Sequence, residues 1–339
     1  MPNESHVSRR SFLVGAVGAA LARPEKPAAV GAPEPPSLTL ADIDRMMTEL
    51  SNWGRWGKDD QMGTVNLITP AKRKQAASLV REGSAVSLAH NQETKKFLDN
   101  PLPLIHTMEA IGGSDLPGFS SSKDTYTMTY HGIFYSHMDA LCHYCYGRKL
   151  YNGHPADVVT SEGASKLAIT AFDSGIVTRG VLMDIPRLKG VPYLEPGTPI
   201  YPEDLEACEK HERVTVGSGD MIFIRTGRWA CRAEKGPWVL SDKVAGLYTT
   251  CARWLKQRDV AVLASDAVSD VFPSMVEGVK NPIHGLVIVA LGTPIFDNCD
   301  LEELSATASR LDRWEFMLTA APMRIPGGTG SPLNPLAIF

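Results

Sequence analysis

Three histidines and an aspartate lie close together in the middle of the chain: His131, His137, His143 and Asp139. His137 and Asp139 are two residues apart, so their side chains leave the same face of an extended segment. One imidazole and one carboxylate on a shared face suit a borderline cation such as Zn²⁺ or Mn²⁺. A polar loop with one hydrogen-bonded histidine is the other interpretation. A low-dielectric pocket, however, tolerates four such groups only when something neutralises them, so we expect a metal site here.

The residues around this cluster resemble a known family. Residues 137–143 and 149–153 are similar to the cyclase family of metal-dependent hydrolases, which includes bacterial kynurenine formamidases (arylformamidases) and isatin hydrolase. The similarity continues at residues 52–57, 63–66, 219–220, 225–227, 265–266 and 330–335, so it spans roughly residues 40–339. It implies an α/β fold, a swivelling β/β/α single domain, which usually forms a homodimer.

The resemblance also implies roles for particular residues. His137 and Asp139 become metal ligands, and His143 becomes the general acid/base that moves protons. His284 and Asp297 are the downstream candidates that complete the cation site. The family more often has glutamate at the position of Asp297, and the spacing to that position is one residue longer here. Asp297 as an ordinary turn residue therefore stays open.

One position departs from the formamidase pattern. Those enzymes carry a further histidine four residues before the H-x-D histidine, and this chain has Ile133 there. His131 would lie about 20 Å from His137 on a straight strand, so only a bend brings it to the site. The sequence therefore predicts a single divalent metal, Mn²⁺ or Zn²⁺, per chain.

A divalent cation lowers the pKa of a bound water, and the resulting metal-bound hydroxide attacks a carbonyl carbon. The sequence thus predicts a hydrolase for a small-molecule amide, formamide or lactone, chiefly at C–N bonds other than peptide bonds. A cyclic amide hydrolase of the isatin hydrolase type uses the same residues. A non-catalytic exported protein that binds a metal or ligand is the alternative from another class, suggested by Ile133 and Asp297. No serine occupies a G-x-S-x-G motif, so the sequence does not indicate a serine hydrolase.

Three aromatic residues are candidates for the substrate pocket. Trp53 and Trp56 lie among glycines, and they suit either core packing or an aromatic wall around the substrate. Tyr135 shares the odd-numbered face of its segment with His137. We expect a small molecule as the substrate.

Charge and cysteine content exclude several other classes. The formal net charge is −4 and no basic run stands out, so neither nucleic acid nor an anionic membrane surface is an expected partner. Six cysteines in 339 residues are too few for a disulfide scaffold. Cys142 and Cys145 form a C-x-x-C pair, but no second pair exists to complete a four-thiolate zinc site.

The first 39 residues have the composition of an export signal and a linker. Arg9 and Arg10 precede a short, weakly apolar run, which is typical of a twin-arginine signal over residues 1–22 with cleavage after Ala22. An unstructured basic tail is the other interpretation. Residues 23–39 form a proline-rich linker. We expect a periplasmic or secreted protein that has no membrane contact after cleavage.

Apolar spacing and turn residues predict one α/β domain over residues 40–339. Helices are predicted over residues 42–50, 69–83, 203–209, 243–257 and 300–311. Strands are predicted over residues 85–90, 179–185, 221–225 and 260–265, with 315–321 as the last strand.

Overall fold

The computed structural model describes residues 38–112, 118 and 120–339. The predicted twin-arginine signal and nearly all of the predicted linker lie outside these residues, so both stay predictions. The described residues form one compact unit. Within the described residues, no helix has the length and apolar character needed to cross a membrane.

Eight α-helices are present in the described part of the chain. They are α1 (Leu40–Glu49), α2 (Pro70–Ala77), α3 (Ile185–Lys189), α4 (Pro202–Glu212), α5 (Arg228–Lys235), α6 (Cys251–Gln257), α7 (Pro282–His284) and α8 (Glu302–Leu311). Local chemistry sets their starts. Thr39 and Asp42 satisfy each other's backbone N–H groups at the start of α1, and Thr69 followed by a proline opens α2.

Fifteen strands occur in the same residues. They are β1 (Ala85–Ser87), β2 (Ile105–Ala110), β3 (Lys123–Thr127), β4 (His137–Asp139), β5 (Val159–Thr160), β6 (Gly163–Ala164), β7 (Ile176–Asp184), β8 (Pro199–Ile200), β9 (Met221–Arg225), β10 (Gly246–Leu247), β11 (Val262–Ser265), β12 (Ile295–Asp297), β13 (Glu315–Ala320), β14 (Gly330–Pro332) and β15 (Leu336–Ile338).

Nine of these strands form the main sheet, in the order β1-β15-β13-β7-β9-β11-β12-β4-β14. The central strands β7, β9, β11 and β12 run parallel, and antiparallel strands extend the sheet on both sides. Nearly every residue of the four central strands is buried, as expected for a parallel sheet with both faces covered. The predicted α/β class is confirmed.

Two predicted helices are wrong in part. Of the residues predicted helical over 243–257, only Cys251–Gln257 form a helix, because Gly246 pairs with Pro199 in a short parallel ladder. A Cβ at Gly246 would lie 2.4 Å from the Asp270 carbonyl oxygen, so this close approach requires glycine. Helix α2 ends at Ala77 rather than near Gly83, whose N–H instead donates to the carbonyl of Phe339.

The strand predictions differ from the structure at several places. The strand predicted over residues 85–90 ends at Ser87, and the one predicted over residues 179–185 begins earlier, at Ile176. The strand over residues 315–320 is followed by β14 and β15, so it is not the last one. The hairpin of β2 and β3 has no counterpart among the predicted elements, and almost every residue in it is exposed. Its mixed polar and apolar sequence lacks the one-sided alternation that marks a half-buried strand.

Candidate metal centre

Strand β4 places the first candidate ligands inside the sheet. It lies between β12 and β14 and pairs antiparallel with both. His137 is opposite Asp297 of β12, and Asp139 is opposite Gly330 of β14. Since side chains alternate along a strand, His137 and Asp139 leave β4 on the same face, where both are buried.

Four imidazoles surround the Asp139 carboxylate. Asp139 Oδ1 lies 3.1 Å from Nδ1 of His131, 3.4 Å from Nε2 of His137 and 3.8 Å from Nε2 of His143. Asp139 Oδ2 lies 3.7 Å from Nε2 of His284. Two donors on one tetrahedral Zn²⁺ are separated by roughly 3.4 Å when the bonds are about 2.1 Å long. The observed separations therefore match those of atoms that share a cation.

The two most buried histidines have their tautomers fixed by groups outside the cluster. Nδ1 of His137 donates to the carbonyl of Tyr135 at 2.7 Å, and Nδ1 of His284 lies 2.5 Å from the Asp270 carboxylate. This leaves Nε2 of His137 facing Asp139, and Nε2 of His284 facing both Asp297 and Asp139. A ligating histidine in a metalloprotein is usually oriented in this way by a carbonyl or a carboxylate on its other nitrogen.

A hydroxyl group orients the third histidine, His131. Nε2 of His131 lies 2.9 Å from Oγ1 of Thr329, so Nδ1 is the nitrogen directed at Asp139. Its ring stacks on that of His143, with 4.0 Å between the centroids. A Cβ on Gly330 would lie 2.7 Å from the His131 ring, so glycine at this strand position leaves the space that the imidazole occupies.

The cluster divides into two halves that share Asp139. The strand half consists of His137, His284 and Asp297, and the loop half consists of His131 and His143. Asp297 Oδ2 lies 3.1 Å from Nε2 of His284, and Asp297 Oδ1 accepts a hydrogen bond from the Ser269 hydroxyl. His131, Asp139 and His143 bring ligand atoms within 4.8 Å of one another, and so do His137, Asp139 and Asp297.

Unpartnered polar atoms indicate that the cluster is built for a cation. Nδ1 of His131 and Oδ1 of Asp139 are both buried, yet neither has a hydrogen bond of adequate geometry although they lie 3.1 Å apart. A buried polar atom without a partner costs free energy unless another group neutralises it. Nitrogen and carboxylate donors in this number fit a divalent cation.

Burial and charge set the protonation of the cluster. Burial lowers the pKa of His143 to about 4, so its imidazole is neutral at neutral pH. Burial opposes ionisation of Asp139, but the imidazoles of His131 and His137 hold its pKa well below the ordinary value. Burial also disfavours a charged His284, yet the Asp297 and Asp270 carboxylates raise its pKa well above the ordinary value. An ionised carboxylate in a buried pocket attracts a cation.

Comparison with known proteins places the chain in a family. A family profile described as "Putative cyclase" matches residues 59–270, which is more than half of the chain. The chain belongs to the cyclase family.

Solved structures agree with this assignment. A crystal structure described as a novel cyclase is 34% identical, covers 86% of this chain and 99% of its own, and superposes with a TM-score of 0.78. Isatin hydrolase A from Ralstonia solanacearum is 20% identical over 78% of this chain and 93% of its own, with a TM-score of 0.54, which shows a shared fold alone. The predicted cyclase-type architecture is thus confirmed. Among curated proteins, no sequence match is found.

Within this cyclase fold, the predicted metal-binding and catalytic residues come together in one cluster, and their roles stay predictions. His137, Asp139, His143, His284 and Asp297 all belong to the cluster. Asp297 ends strand β12 and is buried, so it does not occupy a solvated turn. His284 ends α7, and a π-helix (Gly285–Leu291) follows it, a rare element that is frequent at functional sites.

The geometry removes the reason for excluding His131. Residues 131–135 bend instead of continuing straight, so the distance of a straight strand does not apply. His131 reaches Asp139 in spite of Ile133, which lacks a donor side chain. The prediction of a single metal rested partly on the distance between His131 and His137, and the bend removes that reason. The number of metal ions per chain stays a prediction.

The three predicted pocket residues differ in position. Nε1 of Trp53 donates to the carbonyl of Val289, and Arg55 lies over the ring of Trp56. No hydrogen bond in residues 38–112, 118 and 120–339 joins either tryptophan to the cluster. Tyr135 is buried, and its hydroxyl donates to the carbonyl of Glu93. These contacts are structural, and a substrate role for the three residues stays a prediction.

A cavity of about 150 Å³ adjoins the loop half. His131, Ile133, Phe134, Tyr135 and Leu102 are among the residues that line it. Apolar cavities of comparable volume admit a single aromatic ring. The side chains of His131 and His143 are 25% and 26% exposed, so a small molecule can reach the cluster from this half.

Two residues that orient histidines of the cluster lack a clear sequence signal. Asp270, which orients His284, is one of two aspartates that follow β11, and spacing does not distinguish it from Asp266. Thr329, which holds His131, lies in an ordinary glycine-rich segment. Only the folded geometry assigns them.

Proposed function

We propose that this cyclase-family protein is a metal-dependent hydrolase that cleaves a C–N bond, other than a peptide bond, in a small-molecule amide or formamide. The observation that carries the proposal is the convergence of four imidazoles on the buried Asp139 carboxylate, with the second nitrogen of three of them held by an outside group. Mn²⁺ and Zn²⁺ both suit these nitrogen and oxygen donors.

Each half of the cluster has its own task in this proposal. His137, Asp139, His284 and Asp297 hold the cation, and Asp270 keeps His284 in the required tautomer. A bound divalent cation supplies Lewis acidity and acidifies a water ligand. His143 is neutral and accessible, so its imidazole accepts a proton from the nucleophile and donates one to the departing nitrogen.

A second candidate is the hydrolysis of a cyclic amide or a lactone. The cavity beside His131 supports it, because its volume suits a compact ring next to a residue of the cluster. Isatin hydrolases share the fold, which also supports a cyclic substrate. The same residues serve both reactions, so the substrate alone separates the two candidates.

A substrate screen on metal-loaded protein tests the proposal. Protein reconstituted with Mn²⁺ or Zn²⁺ is incubated with N-formylkynurenine, isatin and a simple lactone, and product is quantified by chromatography. We expect turnover of at least one compound, and its loss after removal of the metal with a chelator. A protein that binds the metal but hydrolyses none of them, nor a wider set of amides, contradicts the proposal and favours a binding protein.

We also propose that the enzyme is exported by the twin-arginine route to the periplasm or beyond, and that it is a homodimer. Replacement of Arg9 and Arg10 with lysine should trap the full-length precursor in the cytoplasm. Undiminished export of that variant contradicts the route.

Exposed apolar side chains on the hairpin of β2 and β3, including Ile105, Ile111 and Tyr126, support the proposed homodimer. Sedimentation equilibrium measures the mass of the protein in solution. A monomeric mass at micromolar concentration contradicts the proposed homodimer.

A further inference from the structure

The bend at residues 132–135 is held by two side chains from distant parts of the chain. Arg228 begins helix α5, and Asn298 follows β12 directly. Together they donate to three backbone carbonyls of the bend, those of Gly132, Ile133 and Tyr135. Carbonyls in a bend have no partner in a ladder, so side chains that pair with them determine its shape.

Arg228 is a buried cation with a specific geometry. Its side chain is 1% exposed, and its two terminal nitrogens donate to different acceptors, the Ile133 carbonyl and Oδ1 of Asn298, the latter at 2.5 Å. Burial lowers the pKa of Arg228 to about 10, which still leaves the guanidinium charged at neutral pH. Asp99, whose carboxylate lies 3.8 Å away, offsets part of the cost of burying the charge.

Asn298 connects the bend to the strand half. Its amide nitrogen donates to the carbonyl of Gly132 at 2.8 Å and to that of Tyr135 at 3.3 Å. Its backbone carbonyl accepts a hydrogen bond from the Ser136 hydroxyl at 2.7 Å. The residue has a φ of 56°, in the left-handed region that asparagine tolerates better than most residues. Because Asp297 precedes it, the same short segment fixes a candidate ligand and the bend.

These contacts explain how His131 reaches Asp139. His131 lies at one end of the bend, and His137 follows the other end after a single residue. The bend must return the chain toward β4 for Nδ1 of His131 to lie 3.1 Å from Asp139. Thr329 fixes the far nitrogen of the ring, but it does not touch the backbone of the bend in any hydrogen bond of the described residues.

We propose that Arg228 and Asn298 are positioning residues that hold His131 in place as a ligand of the loop half. The inference rests on the proposed function only in that the cluster must bind a divalent cation. In this inference, the buried Arg228 and Asn298 compensate for the absence of a histidine at position 133, because they bring His131 to the cluster instead. Loss of such an outer contact in metal sites lowers metal affinity by about 10- to 100-fold.

Zinc binding tests the inference without a substrate. Zn²⁺ is titrated into metal-free protein in competition with a chromophoric chelator, and His131→Ala defines the component of binding that depends on His131. Arg228→Lys keeps the charge but cannot span both acceptors, and Asn298→Gly keeps the left-handed backbone without strain. We expect each variant to weaken the His131-dependent component by about 10- to 100-fold.

The decisive comparison is made in the His131→Ala background. If Arg228 and Asn298 act through His131, neither substitution weakens zinc binding further once His131 is absent. Equal weakening with and without His131 overturns the inference, and so does wild-type affinity in both variants. Arg179→Lys is the control, since it removes a buried, forked guanidinium that binds Asp220 and Glu315 away from the cluster.

Thermal unfolding of the metal-free variants shows whether Arg228→Lys or Asn298→Gly fails to fold. If one of them does, the zinc affinity of the other tests the inference, because both residues hold the same bend. A wild-type protein that binds no Zn²⁺ overturns both the inference and the proposed function. One that binds Zn²⁺ through this network but hydrolyses nothing overturns the proposed function alone.

Discussion

The strand half and the loop half of the metal centre use similar donors in different environments. The side chains of His137, His284 and Asp297 are 3%, 5% and 4% exposed, and those of His131 and His143 are about a quarter exposed. The strand half is built on the main sheet and the end of α7, and the loop half lies on the segments that flank β4. One half is shielded from solvent, and the other can be reached by solvent and substrate.

This contrast indicates how a single carboxylate can serve two purposes. A cation in the strand half would exchange most of its water for contacts in a low-dielectric pocket, which would strengthen its binding. Donors on the exposed side leave room for water and for a substrate carbonyl, as a catalytic metal site requires. We therefore expect tight binding from the strand half, and exchange and catalysis at the loop half.

The largest expected effect comes from the residue that both halves share. Asp139→Asn keeps the volume of the side chain but removes its charge, so zinc binding should weaken by more than about 100-fold at both halves. Isothermal titration of metal-free protein with ZnCl₂ measures it. Asp157→Asn, at an exposed aspartate, is the control. Retention of either class of zinc binding in Asp139→Asn would break the assignment of Asp139 as the shared ligand.

Removal of a strand-half ligand should affect the tightly held ion. Wild-type protein should keep one equivalent of divalent metal per chain after extensive dialysis, and His284→Ala should keep none, because the neighbouring carboxylates lose the imidazole between them. Elemental analysis of dialysed protein decides the matter. Two equivalents retained by the wild type would mean that the loop half binds as tightly as the strand half.

A substitution of His143 tests the catalytic role of the loop half. His143→Ala should lower turnover by about 10² or more, since general acid/base groups contribute rate enhancements of this order. The tightly bound metal should remain near one equivalent, because His143 does not belong to the strand half. Rate and metal content are measured on the same preparation. Metal-free protein from this variant would make His143 a main ligand instead of a proton carrier.

The smallest effect on metal binding is expected for the Tyr135 hydroxyl, which contacts the backbone around the cluster and not the cluster itself. Tyr135→Phe removes a hydroxyl that binds Glu93 and accepts from the N–H of Leu104, so the free energy of unfolding should fall by about 1–3 kcal/mol. The tightly bound zinc should be unaffected, because the Tyr135 carbonyl that orients His137 remains. Denaturant unfolding and zinc titration together test this. A loss of tight zinc binding would place the hydroxyl in the centre itself.

The sequence predicts the strand-borne part of the centre better than the rest. Two-residue spacing is enough to put His137 and Asp139 on one face, because β4 is a regular strand. His284 and Asp297 are far from β4 in the sequence, so only the family resemblance could connect them to it. The bend that brings in His131 depends on hydrogen bonds from Arg228 and Asn298, and no local pattern encodes partners so distant.

The same distinction applies to the fold. The strand at residues 221–225 has the predicted bounds, because a continuous apolar run between turn residues marks a buried strand. The first half of the predicted helix over residues 243–257 is extended, because backbone contacts at Thr198 and Phe272 compete with helical hydrogen bonds there. Tertiary contacts decide such segments, and periodicity alone cannot supply them.

The pairing of β4 with both β12 and β14 has a consequence for folding. Asp139 on β4 and Asp297 on β12 are far apart in the sequence. An ion bound by both would therefore act as a removable cross-link between the two segments. Binding to the native state alone stabilises it by about 2.7 kcal/mol when the free metal concentration is 100 times Kd. The melting temperature and protease resistance of this protein should therefore follow the metal supply of its surroundings.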